Sequence, residues 1–256
     1  MSFCQHCIDL KELPGKPSGT EQKVNGVQTY VAKGSKSGSI VMATDIFGVG
    51  IPNPKILADT FANKTGFSVC VPDIFPGGPI DPKDFTLPKQ ASAGPPGQDV
   101  MGKNFENFGN WMNKGNAPDK TIERYTAVIQ DVAKNGPVSA VGYCYGCKLA
   151  TLAAINKSVK SMVLYHPALL EPDEAAKVPV PTLLNEAELD PLFSGELKET
   201  WEKTLSSKNL LDKRSKQYPN TVHGFGSRPD MNDAKVKGSH EESVDVTSHF
   251  FTETLA

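Results

Sequence analysis

The sequence predicts an α/β protein with a mostly parallel sheet and helices on both faces. Three observations predict it. Apolar runs of strand length alternate with helix-length amphipathic runs from residue 39 onward. Gly142-Tyr143-Cys144-Tyr145-Gly146 stands between one such apolar run and a helix rich in small residues. That is the G-x-nucleophile-x-G turn which joins a strand to a helix, with cysteine where serine is usual. An acid and a histidine then follow in later strand-end loops, in the chain order nucleophile, acid, histidine.

The elements read in order. Residues 1–20 are polar, with Pro14 and Pro17, and read as an N-terminal arm; residues 21–256 read as one domain without repeats or a sharp boundary. Strands are expected at Val27–Val31 and Ser39–Ala43, the second running into Thr44-Asp45-Ile46-Phe47-Gly48. Ile56, Leu57, Phe61 and Ala62 space a helix face over Asn53–Lys64, and Ser68–Val71 begins another buried strand. Residues 76–117 are dense in Pro, Gly and Asn and read as an irregular excursion with a helical piece near Phe105–Met112. Thr121–Ala133 is helical, Val138–Val141 the strand before the turn, and Cys147–Ala154 the helix after it. Ser161–Tyr165, Val180–Leu184 and Lys216–Tyr218 read as the remaining strands, Leu197–Ser206 and Asp233–Leu255 as the remaining helices.

Composition narrows the function classes. Formal net charge is -2 with no basic stripe, which argues against nucleic acid as a partner. No apolar run approaches the about 18 residues a membrane helix needs, and Met1–Cys7 has no basic-then-apolar signal pattern. Five cysteines in a chain of this length fit reduced thiols and a cytoplasmic location better than a disulfide framework. Cys4-Gln5-His6-Cys7 supplies too few ligands for a zinc site and has no matching second pair, so no metal or cofactor is expected.

The chemistry gathers around the turn at Cys144. A helix N-terminus aimed at the sulfur favours thiolate, the form that attacks carbonyl carbon. Functional groups of a parallel sheet lie beyond the carboxyl ends of its strands. There, Asn185–Pro191 offers Asp190, with Glu186 and Glu188 as rival acids, and Pro219–Gly226 offers His223. His223 would take the thiol proton, and Asp190 would hold the imidazole in one tautomer. His166, also at a strand end, precedes the acid and is taken as a pocket-wall candidate. Backbone N–H groups of Tyr145 and Ile46 would receive an oxyanion.

These motifs, together with Asp45-Ile46-Phe47-Gly48, Val71-Pro72-Asp73-Ile74-Phe75, Ala187-Glu188-Leu189-Asp190-Pro191 and His223-Gly224-Phe225, resemble the dienelactone hydrolase family of α/β-hydrolases. The resemblance spans about residues 40–228 in family order. It implies the α/β-hydrolase fold, a Cys144–Asp190–His223 triad, and cleavage of a small ester or lactone through a thioester acyl-enzyme. It also implies that a carboxylate after the second strand modulates the nucleophile; the family has glutamate there and this chain has Asp45. Arg228 resembles a family arginine that binds the substrate carboxylate, although no second such arginine is found near Phe105–Met112. Phe47, Phe75, Trp111, Tyr145 and Phe225 would line a mainly apolar pocket.

Two other classes remain. Cys144-Tyr145-Gly146-Cys147 at a helix start resembles a redox dithiol, though that leaves Asp190 and His223 without a task. A non-catalytic binding protein of the same fold is the other. Oligomeric state is not legible.

Overall fold

The computed structural model describes residues 11–81, 84 and 98–256; Cys4 and Cys7, and much of the excursion over 76–117, lie outside them. Among the described residues eight strands form one sheet: β1 (Thr20–Val24), β2 (Val27–Ala32), β3 (Ser39–Ala43), β4 (Ser68–Pro72), β5 (Val138–Tyr143), β6 (Met162–Tyr165), β7 (Thr182–Leu189) and β8 (Lys216–Val222). Their spatial order is β1-β2-β4-β3-β5-β6-β7-β8. Pairing is antiparallel from β1 through β2 to β4 and parallel from β4 to β8. This is the α/β-hydrolase fold, as expected.

Burial explains why the parallel strands were legible. Every residue of β3, β5 and β6 is buried, as both faces of a parallel sheet require. One face carries α1 (Asn53–Thr65) and α7 (Ala234–Thr254), whose Leu57, Phe61, Val244 and Phe251 share a core with Ile40 and Val163. The other carries α3 (Pro118–Val132), α4 (Gly146–Ile155) and α6 (Gly195–Ser207), where Tyr125, Leu149 and Trp201 meet Val41 and Leu164. Helix α2 (Gln98–Trp111) lies within the excursion, and α5 (Glu174–Lys177) is a single turn.

Three expectations need correction. β1 was absent from the sequence reading because it is a polar edge hairpin strand, with Thr20 to Lys23 all exposed. The helix of the excursion begins at Gln98 rather than near Phe105. β7 and β8 run further than their apolar starts suggested, to Leu189 and Val222. Asp190 and His223 are therefore the first residues beyond two adjacent parallel strands, paired in register at Leu189 and Val222. The arm is also part of the folded unit by residue 11. Leu13 is buried, and its N–H donates to Asn53 Oδ1 at 3.0 Å.

Candidate active site

The turn after β5 is built by close approach. A Cβ on Gly142 would lie 2.5 Å from the Gly146 carbonyl oxygen and 2.6 Å from Cys147 N. A Cβ on Gly146 would fall on the Ala43 carbonyl of β3. Only glycine at both positions lets α4 start directly against the sheet. Cys144 between them has φ +52°, a left-handed conformation that non-glycine residues seldom hold. Its backbone is clamped on both sides: its N–H donates to Tyr165 O at 3.1 Å, and its carbonyl accepts from Cys147 N at 3.0 Å and Ala168 N at 3.3 Å.

His223 meets this turn from the end of β8. Asp190, at the end of β7, brings both carboxylate oxygens to His223 Nδ1, at 2.8 and 2.9 Å. Oδ1 also accepts from Leu192 N at 3.0 Å, which orients the carboxylate. Nε2 of His223 is buried with no hydrogen-bond partner of normal geometry. The Cys144 sulfur is nevertheless close enough to act on the ring. Burial alone would lower the proton affinity of this imidazole, but the Asp190 carboxylate and then Cys144 outweigh it and raise its pKa to about 10. The structure thus brings Cys144, Asp190 and His223 together. The rival acids lie elsewhere. Glu188 accepts from Asn220 N at 2.5 Å, and Glu186 is buried against Lys198 at 2.5 Å.

The other expected site residues fall into separate groups. Asp45 is buried, but its oxygens face other partners: Oδ1 accepts from Phe47 N at 3.1 Å, and Oδ2 from Ser227 Oγ at 2.8 Å and Arg228 Nε at 3.0 Å. Arg228 in turn lies over the Phe47 ring, its guanidinium carbon 4.6 Å from the centroid. The Ile46 loop leaves β3 beside the turn, since Ala43 pairs with Gly142 across the two strands. Its carbonyl accepts from Ile80 N at 2.9 Å. Tyr145 follows Cys144 at the helix start, and its hydroxyl donates to Asn116 O at 2.5 Å.

The expected aromatic wall is divided. Phe75, Trp111 and Tyr145 form one cluster, with centroids 4.8 to 5.5 Å apart. Phe225 instead packs with Tyr165, Tyr218 and His166 in the core of the opposite face. His166 is wholly buried beneath His223 and is not an open pocket wall. Burial pins Cys147 as well. Its thiol lies within donating distance of the Gly142 and Tyr165 carbonyls, at 3.1 and 3.3 Å, and burial raises its pKa well above the ordinary value.

Sequence reasoning missed Asn53 and Ser227. Asn53 Nδ2 donates to Lys11 O and to Ser227 O, both at 2.8 Å, and Ser227 Oγ holds Asp45. Ser227 could have been noticed through its place beside Arg228. Asn53 had no such signal, because its partner is 174 residues away. Among the described residues no helix is long and apolar enough to cross a membrane, and no cluster of His, Cys, Asp and Glu has the makings of a metal site.

Comparison with known proteins gives the chain a family. The model of the dienelactone hydrolase family matches residues 27–255. Hydrolase pyvD of Aspergillus violaceofuscus is 26% identical, over 98% of this chain and 96% of its own. Dienlactone hydrolase 1 of Gibberella moniliformis is 25% identical, over 86% of this chain and 81% of its own. The crystal structure of dienelactone hydrolase from Anabaena variabilis superposes with a TM-score of 0.61 at 14% identity, covering 93% of this chain and 98% of that one. With a matching family model across nearly the whole globular part, the chain belongs to the dienelactone hydrolase family of carboxylic ester hydrolases.

Proposed function

We propose that this hydrolase cleaves a small ester or lactone, dienelactone-like in having an easily expelled enol or enolate, through a Cys144–Asp190–His223 triad. The observation that carries this is Asp190 gripping Nδ1 of His223 at 2.8 Å while Nε2 stays unpartnered beside Cys144. His223 takes the thiol proton, and the sulfur adds to the carbonyl carbon. The oxyanion is received by the N–H groups of Tyr145 and Ile46. Collapse breaks the C–O bond, and the proton on Nε2 passes to the leaving oxygen, leaving a thioester. His223 then removes a proton from water, whose oxygen displaces the sulfur and releases the acid. Sulfur leaves readily from the second step and is a poor choice for stable alkyl esters or amides.

Phe75, Trp111 and Tyr145 supply an apolar wall on one side. Arg228, paired with Asp45, supplies a cation. The redox alternative is disfavoured by the inward-facing, fully buried Cys147 thiol. The test is turnover of p-nitrophenyl acetate and an enol-lactone panel by Cys144→Ala and Cys147→Ser. Cys144→Ala should be inactive and folded, and Cys147→Ser should stay within a few-fold of the parent. Activity surviving in Cys144→Ala would remove the assignment. Disulfide exchange lost in Cys147→Ser, with no ester turnover in the parent, would establish the dithiol instead.

A further inference from the structure

One buried ionisable ring has no task in the chemistry above. His166 is wholly buried, yet neither ring nitrogen has a hydrogen-bond partner. Its backbone sits at φ +36°, in the left-handed region. A buried imidazole that makes no hydrogen bond costs stability relative to an apolar ring, and a strained backbone persists only where its surroundings enforce it. Both costs fall at one turn, Tyr165-His166-Pro167-Ala168, which touches both halves of the triad.

The turn's backbone holds Cys144. Tyr165 O accepts from Cys144 N at 3.1 Å, and Ala168 N donates to Cys144 O at 3.3 Å. The turn itself is tied to β7 by His166 N donating to Asn185 O at 2.9 Å. The His166 ring lies edge-on to His223, with centroids 5.0 Å apart and planes at 70°. Tyr143, Tyr165 and Phe225 enclose that ring from other sides. Gly226 leaves it room, for a Cβ there would stand 3.1 Å from His166 Nε2. Asp190 holds His223 at Nδ1, and tilting about that bond is what a packed neighbour would limit. His166 is the wall against which it would tilt.

We propose that His166 is a positioning residue that sets the distance and angle between the Cys144 sulfur and the His223 imidazole. Its turn anchors the backbone of one, and its ring buttresses the other. This rests on Cys144 and His223 acting as nucleophile and base. His166 stays neutral in this role: burial first, then the neighbouring His223, Arg228 and His240, hold its pKa well below the ordinary value. A neutral ring packed there does not compete with His223 for its proton.

The test separates the ring from the turn. Asn tolerates the left-handed backbone, so His166→Asn keeps the turn and removes the ring. His166→Phe keeps a neutral ring and removes both nitrogens. In His166→Asn, kcat for p-nitrophenyl acetate should fall about 10- to 100-fold with KM nearly unchanged, the size expected of an ångström-scale misplacement. The rate of Cys144 alkylation by iodoacetamide at pH 7 should fall with it. His166→Phe should recover most of both. His166→Asn matching the parent in kcat and alkylation would overturn the proposal. So would a folded His166→Phe as impaired as His166→Asn, which would show that a ring nitrogen moves a proton. Where a variant does not fold, histidine NMR of the unaltered protein decides: the His166 ring should not titrate between pH 5 and 8, and an inflection there overturns the role. Cys144→Ala assayed alongside distinguishes the two levels. If it is active, the nucleophile is wrong; if it is inactive and His166→Asn is unaffected, only the positioning role fails.

Discussion

Replacing Asp190 with Asn removes one charge and little else. The side chain keeps its shape, and its oxygen can still accept from Leu192 N, as Oδ1 does at 3.0 Å. What changes is the stability of the His223 imidazolium. The rise of that imidazole from 6.5 to about 10 corresponds to about 5 kcal/mol in favour of the protonated ring. A unit-charge pair at the observed 2.8 Å, at an effective dielectric near 20, gives about 6 kcal/mol. The first is what remains after burial, which opposes it, and it includes a share from Cys144. Without the carboxylate, burial dominates, and the ring should titrate near or below its ordinary value. Asp190→Asn should therefore lower kcat/KM by roughly 10³- to 10⁴-fold, or about 4 to 5.5 kcal/mol of barrier. The sign for stability follows from the raised pKa. The His223–Asp190 pair stabilises the fold fully below pH 6.5, and that contribution fades as pH climbs through about 10. The stability gap between parent and variant should narrow over that window. The assays are ester turnover, histidine NMR from pH 5 to 11, and urea melts at both ends. A variant within tenfold of the parent, with His223 still protonated at pH 9, would refute the reasoning.

Two further predictions concern the frame. Gly146→Ala places a methyl on the Ala43 carbonyl and should cost about 3 kcal/mol or more, lowering Tm by roughly 6–12 °C; Gly238→Ala, in open space on α7, should not lower it. An unchanged Tm for Gly146→Ala would mean that α4 is not pressed against β3. The Glu186 carboxyl is pushed up to about 7, by burial first and against the pull of Lys198. The folded chain holds that proton more tightly than the unfolded one, so the protein loses stability as pH rises from 4.5 to about 7. Glu186→Gln should gain on the parent between pH 5 and pH 8 in thermal melts; equal differences at both pH values would contradict this.

The parts of the fold legible in the sequence were those set by local chemistry. β3, β5 and β6 announced themselves as continuous apolar runs because they are buried on both faces. The turn at Cys144 was legible because two glycines four residues apart have a steric cause. Asp190 and His223 could be placed by chain order, although their strands end later than apolar content suggested: polar residues such as Asn185, Glu186, Asn220 and Thr221 carry β7 and β8 to the site. β1 was missed because an exposed edge strand has no apolar signature. What could not be read was partner choice. Asp45 faces Arg228 and Ser227, which are 183 and 182 residues away, and no spacing rule reaches that far. Phe225 and His166 were assigned to the pocket by residue type, whereas the loops beyond β8 and β6 bury them against each other and Tyr165, with Phe225 in the core of the face that carries α1 and α7.

Asn53 has a practical consequence. One side chain accepts from Leu13, donates to Lys11, and donates to Ser227 four positions after His223. Lys11 adds an ion pair with Asp230. Deleting the segment before Thr20 as a dispensable leader would strip Asn53 of two bonds and leave a buried amide half-satisfied, at a cost of about 1–3 kcal/mol. Affinity tags and fusions belong upstream of residue 11, and a weakly active shortened protein would report a slackened loop, not a missing reactive group.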